Sequence, residues 1–274
     1  MSLKIYIKRV AKRAIEQNDL GFKQIMVSEE HPRYKSLMLR NKLVDGYEKG
    51  ITSAHGLIAH GRGEAFDYLL GEQTSKNALG ATKAACAYLL TARHPILSVN
   101  GNTAALASEE IAEFCAITDI PVEVNLFHRS AERMKRITDH LHAHGVANVL
   151  TGFDIIKLNH IASERAKVDK HGIFKADVVF APLEDGDRAQ ALTQLGKVVL
   201  TVDLNPLSRT AVTSTVTIVD EVTRAMKNLI SFATHFARES NQDELDTLKA
   251  SFNNVRNLKA SNVIMLKRLQ SVML

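Results

Sequence analysis

The rhythm of apolar and polar positions changes near Pro95. From there, short β-branched runs alternate with longer stretches whose apolar residues recur every three or four positions. The runs are PILSV (95–99), VEVNLF (122–127), NVL (148–150), ADVVFAPL (176–183), KVVLTVDL (197–204) and VTIV (216–219). Helical stretches lie among them: one through Glu113, one to Gly145, one over 153–172, one closing near Gly196 and one from Asp220 onward. Repeated βα alternation predicts an α/β fold built on a doubly wound, mainly parallel sheet. The front third differs, with helices over about 3–17, 33–49, 64–70 and 76–92 and GLIA (56–59) as its one strand candidate. It predicts an N-terminal helical cap on the sheet. The stretch from Asp243 to the end is helical and keeps an apolar stripe, which suits docking on a second subunit.

Composition narrows the classes. The 274 residues are 45% hydrophobic and 24% charged, as in ordinary globular proteins, and no apolar stretch reaches the roughly 18 residues of a membrane span. The N-terminus is basic and amphipathic but has neither the apolar core nor the small-residue cleavage site of a signal peptide. With two cysteines, Cys86 and Cys115, each inside an apolar helical pattern, a disulfide framework is excluded and a cytoplasmic location is expected. The net charge of +5 is dispersed, and 5% aromatics with no tryptophan disfavour a nucleic-acid binder; no membrane partner is expected either.

In an open parallel sheet, ligands bind beyond the carboxyl ends of the strands. Those positions are polar here: Asn100, Gly101 and Asn102; His128 and Arg129; Glu184, Asp185, Gly186, Asp187 and Arg188; Asp203, Asn205, Ser208 and Arg209. NGN suits a phosphate or ribose turn, or a plain asparagine-capped helix start. EDGDR holds three carboxylates and an arginine, which a magnesium ion, ribose hydroxyls or a basic partner would satisfy. Arg209, one turn beyond a strand, can fork onto phosphate oxygens. The stretch GLIAHGRGEAFDYLLGE (56–72) fails as a P-loop, because Arg62 and Gly63 replace the lysine and hydroxyl, and fails as a dinucleotide fingerprint, because Phe66 takes the third glycine position. It is read as an anion site at Gly61–Glu64, made of a helix start plus Arg62. In DHLHAHG (139–145), His140, His142 and His144 end a helix with only the first and last on one face and no third metal ligand implied, and no G-x-S-x-G elbow occurs.

Taken in order, HPRYKSLMLRNKLVDGYEKG, GLIAHGRGEAFDYLLGE, LSVNGNTAAL, EVNLFHRSAERM, ADVVFAPLEDGDRAQAL, GKVVLTVDLNPLSRTA and VTIVDEVTRA resemble the archaeal-type 4-phosphopantoate–β-alanine ligases, also called phosphopantothenate synthetases. The resemblance runs from His31 to about Ala225. It implies a homodimer with a Rossmann-like core that uses ATP to join 4-phosphopantoate to β-alanine in coenzyme A biosynthesis, through an acyl-adenylate, releasing AMP and pyrophosphate. Residues 1–30 then form a helical extension before a single α/β domain (31–274), comprising a helical cap (about 31–93), sheet core (about 94–235) and C-terminal helices (about 236–274). By the same resemblance Arg40, Arg62, Asp185, Gly186, Asp187, Arg188, Asp203 and Asn205 contact the nucleotide. One departure stands out, since Ala189 and Gln190 replace the Thr–Glu that often follows the arginine in relatives.

The chemistry asks for such a set. Adenylating a carboxylate brings an anion to an anionic phosphate, so fixed cations and magnesium must hold the charge. Arg62, Asp187 and Arg209 are the catalytic candidates, with Asp185 and Asp187 as possible Mg2+ ligands. Arg33, Asn100, Asn102, His128 and Arg129 are candidates for 4-phosphopantoate. The rival reading is a nucleotide-phosphate binding or regulatory protein on the same fold.

Overall fold

The computed structural model describes residues 27–272 except 153, 160, 162, 240 and 241, so the helix expected over 3–17, like most of the 1–30 extension, lies outside the described residues. The strands are β1 (Pro95–Val99), β2 (Val122–Val124), β3 (Val149–Leu150), β4 (Ile155–Lys157), β5 (Lys167–Asp169), β6 (Val178–Phe180), β7 (Val198–Val202) and β8 (Val216–Ile218). The helices are α1 (Tyr34–Glu48), α2 (Ala54–Leu70), α3 (Lys76–Thr91), α4 (Gly101–Thr118), α5 (Ala131–Ala143), α6 (Gly186–Gln194), α7 (Arg209–Thr213), α8 (Val222–Glu239), α9 (Gln242–Ser251) and α10 (Asn254–Val272).

Six strands pair in the order β3-β2-β1-β6-β7-β8, every pair parallel. The chain winds outward from β1 to β3, then returns to β6 on the other side of β1, with Leu97 opposite Val122 on one edge and Phe180 on the other. That reversal opens a crevice beyond the carboxyl ends of β1 and β6. Both faces of the sheet are covered, and the period-two alternation sorts side chains between them. Leu97, Val99, Phe180, Leu200 and Val202 enter a large core with α3, α4, α5 and α8, while Ile96, Val179 and Val199 meet Ala189 and Leu192 of α6 and Val168 of β5.

The cap consists of α1 and α2, whereas α3 joins the main layer through Ala81, Ala85, Cys86 and Leu89. Burial pushes the Cys86 and Cys115 thiols up to about 12. Among the described residues, no helix is long and apolar enough to cross a membrane.

Two expectations need correction. GLIA is not a strand but spans the first and second turns of α2, where Ile58 is left exposed. Ser53 starts this helix, its Oγ accepting the Gly56 N–H. The segment expected as a helix over 153–172 is instead the antiparallel β4–β5 hairpin, closed by a short 3-10 turn at Glu164–Ala166. Its backbone is claimed from outside by β2: Glu123 accepts the N–H groups of Asp169 (3.1 Å) and Ile173 (2.7 Å). Asn125 donates to the carbonyls of Arg165 and Lys167. Two buried polar side chains thus fix a conformation that local periodicity does not encode.

Candidate active site

A cleft of about 770 Å3 occupies the crevice, a volume within the rough 300–1,000 Å3 range of ligand sites. Two walls of unlike chemistry form it.

The first wall is made of two helix starts. Asn100, leaving β1, caps α4 by accepting the Thr103 N–H at 3.0 Å, and its Nδ2 donates to the carbonyls of Pro182 and Leu183, stitching β1 to β6. Next to it, Asn102 Nδ2 donates to Gly56 O at 2.8 Å and its Oδ1 accepts from Thr52 Oγ1, so the starts of α2 and α4 lie side by side. A Cβ on Gly56 would press on Asn102 Oδ1 and Thr52 Oγ1, so glycine leaves their bond undisturbed. Ser53, His55, Gly56, Gly101 and Asn102 all line the cleft, giving it two sets of first-turn amides. The anion-binding helix start expected at Gly61–Glu64 is therefore displaced: those residues lie mid-helix, and the real start is about two turns earlier, at Ser53. Arg62 still lines the cleft, exposed on α2, and makes no hydrogen bond or ion pair among the described residues.

The helix carrying Arg62 is clamped on its other side. Buried Glu64 receives Arg33 at 2.9 Å, Arg40 at 2.9–3.1 Å and Ser36 Oγ at 2.6 Å. Burial raises its carboxyl, but the bonds from Arg40 and Ser36 outweigh that and hold it below the usual range. One turn on, Asp67 pairs with Arg224 at 2.5 Å, and Arg224 pairs with Asp220 at 2.8 Å.

The second wall, beyond β6 and β7, is a network of compensated charge. Glu184 lies between two arginines, with Arg165 Nη1 2.8 Å from Oε1 and Arg188 Nη1 on Oε2. Arg165 Nε lies 2.8 Å from Asp185 Oδ2, and Arg188 Nη1 also donates to Ser98 Oγ at 3.1 Å. Burial pushes Asp185 up, with Arg165 pulling the other way. Asp203 is likewise raised by burial, against the bonds from Ser208 and the Asn205 N–H and the charge of Arg62. At the outer edge Arg209 and Asp187 form an exposed pair at 3.3 Å.

Of the residues singled out in the sequence, Arg62, Asn100, Asn102, His128, Asp185, Gly186, Asp203, Asn205 and Arg209 meet in this one cleft. Arg33 and Arg40 stand behind it on Glu64, and Arg129 turns to the carbonyl of Thr151. Asp187 is reached only through Arg209. Arg188 is fully buried behind Glu184, so the expectation that it touches the nucleotide is replaced by a place inside the wall. Ala189 is buried in the smaller core, so the departure from the family pattern falls on a position that does not line the cleft. The expected magnesium ligands Asp185 and Asp187 are each paired with an arginine, Arg165 and Arg209, and no group of three or more His, Cys, Asp or Glu among the described residues could hold a metal. Sequence reasoning missed Ser53, His55, Arg133 and Arg165, which also line the cleft. Ser53 carried a signal, a cap residue before an uninterrupted helical run. The other three sit on helix faces or the hairpin rather than after a strand.

Residues 77–268 match the family model described as phosphopantothenate/pantothenate synthetase. Among curated proteins, the chain is 54% identical over 224 residues to the 4-phosphopantoate–beta-alanine ligase of Methanospirillum hungatei, covering 81% of this chain and 89% of that one. It is 47% identical over 232 residues to the protein of the same name from Methanosarcina mazei (85% and 91% covered) and 45% identical over 235 residues to that of Thermococcus kodakarensis (85% and 90% covered).

Proposed function

We propose, on the premise that the chain belongs to the phosphopantothenate/pantothenate synthetase family, that it is the ligase joining 4-phosphopantoate to β-alanine with ATP. The carboxylate of the acid attacks the α-phosphate, releasing pyrophosphate, and the β-alanine amine displaces AMP from the acyl-adenylate. The observation that carries this reading is one cleft uniting two helix starts with Arg62 and Arg209, while the lysine and hydroxyl that grip β- and γ-phosphates in P-loop enzymes are missing. Two anions can be held in contact there by donors that are already fixed, which is the requirement of in-line attack between like charges. Magnesium is read as arriving on the triphosphate, since the cleft carboxylates are engaged within the chain.

Incubation with ATP, magnesium, 4-phosphopantoate and β-alanine should give AMP and pyrophosphate in step with amide formation. ADP with free phosphate would mean an acyl phosphate instead, and unchanged ATP would leave only a nucleotide-binding protein. We also read the protein as a cytoplasmic homodimer. Helix α10 leaves Val255, Val263, Leu266 and Leu269 exposed, an apolar face that a second copy would cover, and light scattering at micromolar concentration tests this against a monomer.

A further inference from the structure

Arg133, on the first turn of α5, lines the cleft yet has no carboxylate partner among the described residues. Its guanidinium donates only to backbone carbonyls, Nη2 to Ile51 O at 2.9 Å and Nη1 to His128 O at 3.0 Å, while Nε is buried without any partner. Burial and the nearby Arg165 both disfavour its charge. A half-buried cation in that position is held at a cost unless an anion joins it. The guanidinium also lies against the start of α4, where a Cβ on Gly101 would come within 2.6 Å of Nη2 and would press on Ile51 O. One pole of the cleft therefore gathers Arg133, the first turns of α2 and α4 and the rings of His55 and His128, 5.1 Å apart. Among the described residues, neither Arg133 nor either of these histidines forms an ion pair with a carboxylate. The nucleotide residues implied by the family resemblance, Asp185, Asp203, Asn205 and Arg62, belong instead to the β6–β7 side or to the middle of α2.

We propose that Arg133, with the first turns of α2 and α4, binds the phosphate of the acid substrate, leaving the acid's carboxylate directed toward the nucleotide. The assignment rests on the ligase reading above. A phosphate dianion suits the pole better than a carboxylate, because it offers three acceptor oxygens to donors arriving from two helices and a forked side chain.

The test titrates 4-phosphopantoate, pantoate and ATP separately into wild-type, R133M and R133K protein by calorimetry, with KM values measured in parallel. R133M should weaken 4-phosphopantoate by about tenfold to a hundredfold, as expected for a lost charge-assisted bond, and leave ATP and pantoate within about twofold. R133K should recover only part of the loss. Should R133M not fold, R133K decides alone, with a loss of about tenfold confined to 4-phosphopantoate. Equal weakening of ATP, equal weakening of pantoate, or unchanged 4-phosphopantoate binding would each overturn the assignment. Wild-type protein that makes no amide would overturn the ligase reading and this assignment together, whereas an active wild type with an indifferent R133M would overturn this assignment alone.

Discussion

Both walls of the cleft carry arginines, but they hold them in opposite electrical states. On the β6–β7 wall, Arg165 and Arg188 are neutralised inside the chain by Glu184 and Asp185, and of these four only Asp185 is open to water. On the helix-start wall, Arg62 and Arg133 enter no ion pair among the described residues, and the α2 and α4 amides add partial positive charge. The contrast separates what shapes the site from what binds in it. Closed charge fixes geometry and carries little field outward, whereas open charge is completed only by a ligand.

The largest expected effect breaks the closed wall. Glu184→Gln leaves two buried guanidiniums facing a neutral amide, and removing one partner of a buried ion network costs about 3–5 kcal/mol. Urea denaturation at neutral pH should report a loss of that order. A loss under about 1 kcal/mol would show the wall to be no tighter than a surface pair and would erase the contrast.

A second effect lies in the foundation of that wall. Glu123 ties β2 to the hairpin that delivers Arg165, and burial pushes its carboxyl up to about 7 from an ordinary 4.5, despite the two backbone N–H bonds it accepts. Because the folded pKa is the higher one, the folded state binds the extra proton between these values. The associated stability is then complete below pH 4.5 and is lost as pH rises through about 7. Relative to Glu123→Gln, which cannot titrate, the wild type should lose about 3 kcal/mol between pH 4.5 and 8 in denaturation experiments. A pH-independent difference would mean that Glu123 titrates normally.

These residues also mark where the sequence was legible. The sheet was readable because parallel strands buried on both faces appear as compact β-branched runs, so β1, β2, β3, β6, β7 and β8 fall inside the expected segments. Helix α2 was not, since Gly56, Gly61 and Gly63 lower helix propensity and mimic a turn. What holds the helix there is tertiary, Glu64 on Arg33 and Arg40 and Asp67 on Arg224. The hairpin over 153–172 was hidden for the same reason, its conformation set by side chains of β2. A clue existed in VEVNLF, where Glu123 and Asn125 occupy positions that a doubly covered sheet buries, so each had to have a polar partner. The site was legible where strand order dictates it, after β1, β6 and β7, and silent at Arg133 and Arg165, which reach the cleft from elements whose placement depends on the finished fold.

The open wall should answer differently to substitution, in rate rather than stability. Arg62 is exposed in the middle of α2, so Arg62→Ala should move stability by no more than about 0.5 kcal/mol. If it donates to charge developing at the reacting phosphate, kcat should nevertheless fall about a hundredfold, with Arg62→Lys restoring little because a point charge lacks the fork. A wild-type rate would make α2 a purely structural element of the cleft.

The smallest effect concerns the exposed pair at the outer edge of the β6–β7 wall. Arg209 and Asp187 are joined at 3.3 Å with side chains 61% and 52% exposed, so solvent and salt screen their attraction. Asp187→Asn should therefore change stability by less than about 1 kcal/mol, and less still at high salt. The same variant tests whether the acidic turn is a metal site. Asp187 Oδ1 is paired with Arg209 and Asp185 Oδ2 with Arg165, so one oxygen of each carboxylate is already engaged within the chain. If magnesium is held by the triphosphate alone, Asp187→Asn should leave the magnesium concentration for half-maximal rate unchanged, while Arg209, released from its partner, shifts the KM for ATP by no more than a fewfold. A magnesium requirement raised tenfold would return Asp187 to the metal.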